Sequence, residues 1–123
     1  MTLENRKIIA VDFDGTLDVK DVFPNFSQPR LWLINLLKHM KRDENVKLIL
    51  WTCREDDVLD DAVEWCNDFG LTFDAINTNI PEIVSLYGKN GRKPYADIYI
   101  DEKSIQPYVF QQLMLLNGGI NHG

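Results

Sequence analysis

Long apolar segments and cysteine clusters are both missing from this sequence of 123 residues. No apolar run approaches the roughly 20 residues that a membrane-spanning helix needs. The charged start at Glu4, Arg6 and Lys7 leads into only a short apolar stretch, so we expect neither a signal peptide nor a membrane helix. The cysteines, Cys53 and Cys66, are too few for a disulfide framework or a zinc knuckle. These absences predict a cytoplasmic protein.

Basic residues are also scarce, with 13 Lys and Arg against 19 Asp and Glu and a net charge of −6. Because nucleic-acid affinity comes mainly from clustered Lys and Arg, this balance argues against a general nucleic-acid binder. The basic residues Lys89, Arg92 and Lys93 share one glycine-bearing loop, which is either solvated or a local phosphate contact. The 45% of apolar residues can bury a core, and we expect residues 1–123 to form one domain with a frayed tail at 118–123.

Short apolar runs alternate with helical patterns along the chain. Strands are predicted at residues 7–11, 46–51, 71–76 and 98–100. Helices are predicted from Ser27 and Pro29 to about residue 42, over 55–69, over 81–87 and over 104–116. Strands that are apolar throughout favour a parallel sheet covered by helices on both faces. The predicted fold class is therefore α/β, a single three-layer Rossmann-like domain.

Reactive side chains follow three of the predicted strands. Asp12 and Asp14 come after the first strand, Thr52 after the second, and Asp101 with Glu102 after the fourth. In an open parallel sheet these strand ends face one crevice. Carboxylates held close together repel unless a cation or a proton offsets their charge. Since all of these side chains would bind a metal through oxygen atoms, the sequence predicts a hard ion such as Mg²⁺.

Residues 11–17, Val-Asp-Phe-Asp-Gly-Thr-Leu, resemble the first signature of the haloacid dehalogenase superfamily of phosphohydrolases. Thr52 matches the second signature, Lys93 the third and residues 98–102 the fourth, in that family's order. The resemblance covers about residues 7–102.

The resemblance implies that Asp12 is the nucleophile, which takes the phosphoryl group as an aspartyl-phosphate. Asp14 would protonate the leaving group and later deprotonate the attacking water. The Asp14 backbone carbonyl would hold Mg²⁺ together with Asp12 and Asp101. Thr52 and Lys93 would position and neutralise the transferring oxygens. The expected activity is a phosphatase that acts on a phosphorylated small molecule, with nucleic-acid ends left open as substrates.

Larger members of that superfamily carry a cap domain, for which neither gap in this chain has room. Residues 18–26 would remain as a mobile flap, whose Phe23 and Phe26 contact substrate or cover the core, with core contact expected for at least one. Arg54 would reach the substrate phosphate or pair with the acidic helix start beside it. Its neighbour Cys53 would at most contact substrate, because a cysteine phosphatase loop needs several backbone amides between its cysteine and its arginine.

Other interpretations of the same residues stay open. A phosphotransferase would use the same groups with a different acceptor. Asp14 with Gly15 also fits an ordinary turn, and Thr52 a helix cap. A response-regulator receiver domain has similar parts, but it places its phosphoacceptor after the third strand. Here that predicted strand ends at residues 77–79, which contain no aspartate.

Asp97 and Asp101 flank the fourth predicted strand, about 13 Å apart at roughly 3.3 Å per residue. They cannot both reach one ion. A strand parallel to the first must deliver its ligand at the same end as Asp12, which selects Asp101. We expect Asp97 to cap or pair at the far edge, and Glu102 to act through metal-bound water.

Overall fold

A computed structural model describes residues 6–78, 80–81 and 95–101 of the chain. Within these residues, short strands alternate with helices. The strands are β1 (Lys7–Val11), β2 (Val46–Leu50), β3 (Ala75–Ile76) and β4 (Ile98–Ile100), and the helices are α1 (Leu31–Met40) and α2 (Asp56–Asp68).

The strands form one parallel sheet in the order β3-β2-β1-β4. β1 pairs with β2 up to Val11↔Leu50 and with β4 up to Val11↔Ile100, so it lies between two neighbours. A strand paired on both edges and packed on both faces needs apolar residues at every position, which accounts for the run Ile-Ile-Ala-Val after Lys7. The sheet and its helices form the single α/β Rossmann-like domain expected from the sequence.

The predicted bounds of β1 and β4 are confirmed, whereas two other strands are shorter than predicted. β2 ends at Leu50, although the Trp51 N–H still donates to the Val11 carbonyl at 2.9 Å. β3 covers only Ala75–Ile76 rather than 71–76. At the start of that predicted range, the Leu71 N–H donates to the Cys66 carbonyl at 3.0 Å, so Leu71 caps the end of α2 instead of pairing in the sheet.

Helix α1 begins at Leu31, later than predicted, because Ser27 and Pro29 have other partners. Ser27 hydrogen bonds to Asp18, and Pro29 pairs with Asp18 in an isolated bridge. Helix α2 covers most of the predicted range, and Gly70 follows it with φ of 80°, a conformation that favours glycine.

The core has a cluster on each face of the sheet. On one face, both helices pack against the odd-numbered residues of β1 and the even-numbered residues of β2, and Phe13 and Leu17 join them. The cluster on the other face is Ile8, Ala10, Ile49, Ile80 and Ala96. Residues 82–87 of the helix predicted at 81–87, the helix predicted at 104–116, the loop with Lys89, Arg92 and Lys93, and the tail at 118–123 lie outside the described residues. In the part of the chain that is described, no helix is long and apolar enough to cross a bilayer.

Two aspartates hydrogen bond to backbone groups at the amino edge of the sheet. The Asp97 N–H donates to the Ile8 carbonyl, and its Oδ2 accepts from the Ile8 N–H, both at 2.8 Å. Asp74 makes the same pair of bonds with Leu48, again at 2.8 Å each. The expectation that Asp97 caps the edge of the sheet far from Asp12 is therefore confirmed.

The segment after β1 is tied down rather than a loose flap, contrary to the expectation for residues 18–26. The Asp18 side chain is fully buried and accepts hydrogen bonds from the N–H groups of Ser27 at 2.8 Å and Gln28 at 3.1 Å. The Val19 N–H donates to the Gln28 carbonyl at 2.9 Å. The Arg30 Nε donates to the Thr16 carbonyl at 2.7 Å. Both ends of the loop are thus held by buried polar contacts.

Burial raises the pKa of the Cys66 thiol from 9.0 to about 12. The unfolded thiol therefore loses its proton first as the pH rises, so stability from this group is complete below pH 9 and is lost towards pH 12. Between pH 8 and about pH 10.5 we expect a loss of about 2 kcal/mol in the free energy of unfolding. Urea denaturation at both pH values measures it. Cys66→Ala should lose about 2 kcal/mol less over the same interval, and an equal loss in both proteins would contradict the assignment.

Candidate active site

The ends of three strands meet at one edge of the sheet. Because Val11 pairs with both Leu50 and Ile100, the residues that follow these three positions emerge side by side. The Asp12 N–H donates to the Ile100 carbonyl at 2.9 Å, which extends the pairing with β4 by one step. Asp12 and Asp101 therefore leave neighbouring strands at the same end, as predicted.

Asp12 and Asp14 are set by the turn that follows β1. The Phe13 N–H donates to Asp12 Oδ1 at 2.7 Å, which fixes the orientation of that carboxylate. The turn closes where the Asp18 N–H donates to the Phe13 carbonyl at 3.0 Å. Gly15 has φ of 78°, which a residue with a side chain adopts only with strain. Asp14 and Gly15 thus lie in a turn over Phe13–Leu17, and this turn directs Asp14 into the site.

Arg54 holds the Asp14 carboxylate. Its Nε donates to Asp14 Oδ2 at 2.9 Å and its Nη2 donates to Asp14 Oδ1 at 2.8 Å, a two-pronged pair. The Arg54 side chain is fully buried, and that of Asp14 is 14% exposed. The guanidinium also donates to the carbonyls of Pro24, Asn25 and Val58 at 3.1 to 3.3 Å. These contacts match the five donors of a guanidinium.

Three phenylalanine rings surround the same guanidinium. Its central carbon lies 4.8 Å from the ring centre of Phe13, 5.2 Å from that of Phe23 and 5.0 Å from that of Phe26. These distances are typical of cation–π contacts. Phe26 also stacks on Trp65 with 5.6 Å between ring centres, so the expected core contact of one loop phenylalanine is confirmed.

Thr52 is positioned by the amide side chain of Asn77, the residue that follows β3. The Thr52 N–H donates to Asn77 Oδ1 at 2.8 Å, while the Asn77 N–H donates to the Leu50 carbonyl at 2.8 Å. Asn77 has φ of 55°, a left-handed conformation that asparagine tolerates better than most residues. The Thr52 hydroxyl accepts from the Arg54 N–H at 3.2 Å. The side chain of Thr52 thus caps the turn after β2 and also lies at the site.

Two adjoining cavities open at this edge. The first, of about 260 Å³, has Asp12 and Asp101 in its wall together with the ends of β1, β2 and β4. The second, of about 470 Å³, has Asp14, Asp21 and Phe23 in its wall. Asp12, Thr52 and Cys53 belong to both. Asp12 therefore stands at the junction of the two cavities.

The donor set of the first cavity fits a hard cation. It contains the carboxylates of Asp12 and Asp101 and the hydroxyl of Thr52, with Cys53 as the soft donor. The described residues contain no group of three or more His, Cys, Asp or Glu side chains placed to hold a metal. The predicted Mg²⁺ set is compatible with this, because it takes only two carboxylates and the backbone carbonyl of Asp14. The Asp14 carboxylate itself faces Arg54.

No protein-family model matches the sequence, and a search of curated proteins found no match. Among solved structures, the chain is similar to a conserved protein from Bacteroides thetaiotaomicron, with 32% sequence identity and a TM-score of 0.74. The similarity covers 95% of each chain. The chain belongs to the same family as this conserved Bacteroides protein. This likeness establishes the fold.

Most of the predicted site residues come together at this edge. Asp12, Asp14, Thr52, Cys53, Arg54 and Asp101 all line one or both cavities. Lys93 and Glu102 lie outside the described residues.

The sequence does not predict the pairing of Arg54 with Asp14 or the contributions of Asn77 and Asp21. The predicted pairing of Arg54 with the acidic start of α2 is not found, because its side chain pairs with Asp14 instead. The predicted contact of Arg54 with a substrate phosphate stays a prediction, and Arg54 does line the second cavity. Asn77 and Asp21 were not singled out. The only signal for Asn77 was its position directly after a predicted strand.

Replacing Arg54 should destabilise the protein strongly. Arg54→Met keeps much of the side-chain volume but leaves the Asp14 carboxylate unpaired, and we expect a loss of about 3–5 kcal/mol in the free energy of unfolding. The matched control is Lys41→Met, which removes the partially exposed pair between Lys41 and Asp74 at 3.6 Å and the exposed hydrogen bonds from Lys41 to Thr72. That change should cost less than about 1 kcal/mol. Urea denaturation midpoints compare the two, and equal shifts would contradict the role of Arg54.

Proposed function

We propose that this protein is a Mg²⁺-dependent hydrolase of phosphomonoesters that uses Asp12 as a covalent nucleophile. The observation that carries the proposal is the convergence of Asp12, Thr52 and Asp101 on one cavity, with Asp14 directed into the adjoining cavity. Its sequence signatures resemble those of the haloacid dehalogenase superfamily. The expected substrate is a phosphorylated small molecule of the cytoplasm, and nucleic-acid ends remain open.

In the first step, a carboxylate oxygen of Asp12 attacks phosphorus and forms an acyl phosphate. The bond between phosphorus and the leaving oxygen breaks, and that oxygen takes a proton from Asp14. The hydrogen bond from the Phe13 N–H to Asp12 Oδ1 holds the nucleophile in a fixed orientation. The two hydrogen bonds from Arg54 likewise fix the orientation of the Asp14 carboxylate. Asp14 enters this step with its proton on a lone pair that faces away from Arg54, and it leaves the step as the carboxylate.

In the second step, water attacks the phosphorus of the acyl phosphate and gives a proton to Asp14. The bond between phosphorus and the Asp12 oxygen breaks, inorganic phosphate leaves, and both aspartates return to their starting states. The same Asp14 thus serves as acid and then as base, and a rigid Asp14 keeps the proton within reach of both oxygens. A phosphotransferase would differ only in the acceptor that attacks in this step.

The residues that would hold Mg²⁺ are Asp12, Asp101 and the backbone carbonyl of Asp14. When bound, the ion supplies positive charge to the phosphoryl oxygens. The Thr52 hydroxyl, held at the junction of both cavities, would donate to one of these oxygens. Lys93 remains the predicted second cation at the phosphoryl group.

The strand order supports this proposal over a receiver domain. Receiver domains belong to the doubly wound class in which the third strand lies beside the first, in the order 2-1-3-4-5. Here β3 pairs with β2, and β4 lies on the other side of β1. This order is the first part of the arrangement 3-2-1-4-5-6. Asp12 at the end of β1 is thus the candidate phosphoacceptor.

Asp12→Asn is the direct test of the nucleophile. The change is nearly isosteric and removes the attacking oxygen's charge, so we expect turnover of an aryl phosphate with Mg²⁺ to fall by at least roughly 10³-fold while the fold is kept. Asp43→Asn, the same change at an exposed turn, is the control and should keep full activity. Turnover of the Asp12 variant close to that of the parent would rule out the covalent mechanism.

The two aspartates that flank β4 test the metal site. Asp101→Asn should greatly weaken the dependence of activity on Mg²⁺, because the amide loses the negative charge that would hold the cation. Asp97→Asn keeps an oxygen that can accept from the Ile8 N–H, and it should retain both activity and Mg²⁺ affinity. Titration of each variant with Mg²⁺ measures the difference. If only the Asp97 variant lost its response to Mg²⁺, the metal site would lie at the amino edge of the sheet, and the proposed site would be wrong.

A further inference from the structure

The second cavity adjoins the first at Asp12 and is lined by Asp14, the residue proposed to protonate the leaving group. Its wall contains Asp12, Asp14 and Thr52, and it also contains Asp21 and Phe23, which have no part in the proposed phosphoryl chemistry. With a volume of about 470 Å³, it is within the size range of small-molecule sites. A phosphate bound beside Asp12 would direct its ester group into this space.

Phe23 offers this cavity an aromatic surface. The side chain is 55% exposed, although one part of the ring contacts the fully buried Arg54, with 5.2 Å between the guanidinium carbon and the ring centre. The backbone beside it is held as well, since Arg54 donates to the carbonyls of Pro24 and Asn25. An exposed but firmly held ring binds a flat partner with little loss of conformational entropy.

Asp21 adds an acceptor to the same cavity. The Phe23 N–H donates to Asp21 Oδ1 at 3.3 Å, which sets the carboxylate beside the ring. An ionised carboxylate only accepts hydrogen bonds, and its two oxygens have about four lone-pair directions. It therefore favours a ligand with a hydroxyl or amino donor and disfavours a second anionic group.

We propose that the second cavity is a leaving-group site for phosphomonoesters with a planar ring, which stacks on Phe23, and with a hydrogen-bond donor that reaches Asp21. This inference rests on the proposed function for the direction of the ester group. A phosphomonoester with a small leaving group would not contact Phe23 or Asp21, so this site would not increase its affinity. A ring phosphate with hydroxyl or amino donors, such as a nucleoside 5′-monophosphate, combines both features.

The first experiment measures binding without turnover. Phenylphosphonate and methylphosphonate carry the same anionic group, and calorimetry with Mg²⁺ compares their affinities for the parent protein. Stacking on an aromatic side chain should make phenylphosphonate bind roughly 5- to 150-fold more tightly. Phe23→Leu, which keeps apolar bulk but removes the aromatic face, should abolish most of this ratio.

Phe26→Leu is the matched control. Phe26 contacts the same guanidinium at 5.0 Å but packs on Trp65, and it is not among the residues of the cavity wall. Any indirect effect through Arg54 should therefore appear in both variants, whereas loss of the ring preference should appear only in Phe23→Leu. Equal affinity for the two phosphonates in the parent, or the same ratio in both variants, would overturn the inference.

A turnover experiment tests Asp21 and separates the two proposals. Asp21→Ala should lower kcat/KM for a nucleoside 5′-monophosphate at least about threefold, as expected for loss of one hydrogen bond, and leave phenyl phosphate unchanged. An equal effect on both substrates would overturn the role of Asp21.

The failure of each proposal gives a different result. If the parent hydrolyses acetyl phosphate but does not bind phenylphosphonate more tightly than methylphosphonate, only this inference fails. If it hydrolyses no phosphate compound while phenylphosphonate binding still depends on Phe23, only the proposed hydrolysis fails.

Discussion

The buried pair between Arg54 and Asp14 is the interaction on which the rest of the site depends. A guanidinium inside a protein is tolerated only when its charge is paired and its donors are used. Here one partner is the carboxylate from the turn after β1, and the others are carbonyls of the following loop and of α2. One side chain thereby joins three separate parts of the chain. The position of Asp14 is consequently coupled to the position of the loop above the site.

The same logic accounts for Asp18, the second buried charge beside this site. Its oxygens accept from the Ser27 and Gln28 backbone N–H groups and from the Ser27 hydroxyl, so the loop closes on itself around a carboxylate. Arg54 holds the far side of this loop through the carbonyls of Pro24 and Asn25. Movement of the loop would break hydrogen bonds to the buried Asp18 carboxylate or from the buried Arg54 guanidinium, and would leave a charge without its partners in an apolar environment. This explains why a segment rich in exposed side chains has a defined shape, and why Phe23 is presented as a fixed surface.

The parts that were predictable from sequence depend on local pattern and on the geometry of parallel strands. The bounds of β1 and β4 follow from short apolar runs, and the meeting of Asp12 with Asp101 follows from strand direction alone. The role of Arg54 was not predictable, because its partner Asp14 is 40 residues away and no periodicity links the two. Asn77 was missed for a related reason, since its side chain replaces a backbone carbonyl in the pairing with β2 and leaves no apolar signal. The predicted start of α1 was wrong because Ser27, a good capping residue by type, is recruited by Asp18.

The direction of the strands also explains why carboxylates have different uses at the two edges of the sheet. Parallel strands present N–H groups at their amino ends and carbonyl groups at their carboxyl ends. At the amino edge, Asp74 and Asp97 accept from the N–H groups of Leu48 and Ile8, so their charge is stabilised by the backbone. At the carboxyl edge, Asp12 and Asp101 follow strands whose last carbonyls carry the same sign of partial charge as the carboxylates. Arg54 provides positive charge for Asp14, and a bound cation would add it for the other two. The polarity of the backbone thus favours cations at this edge, in agreement with the proposed metal.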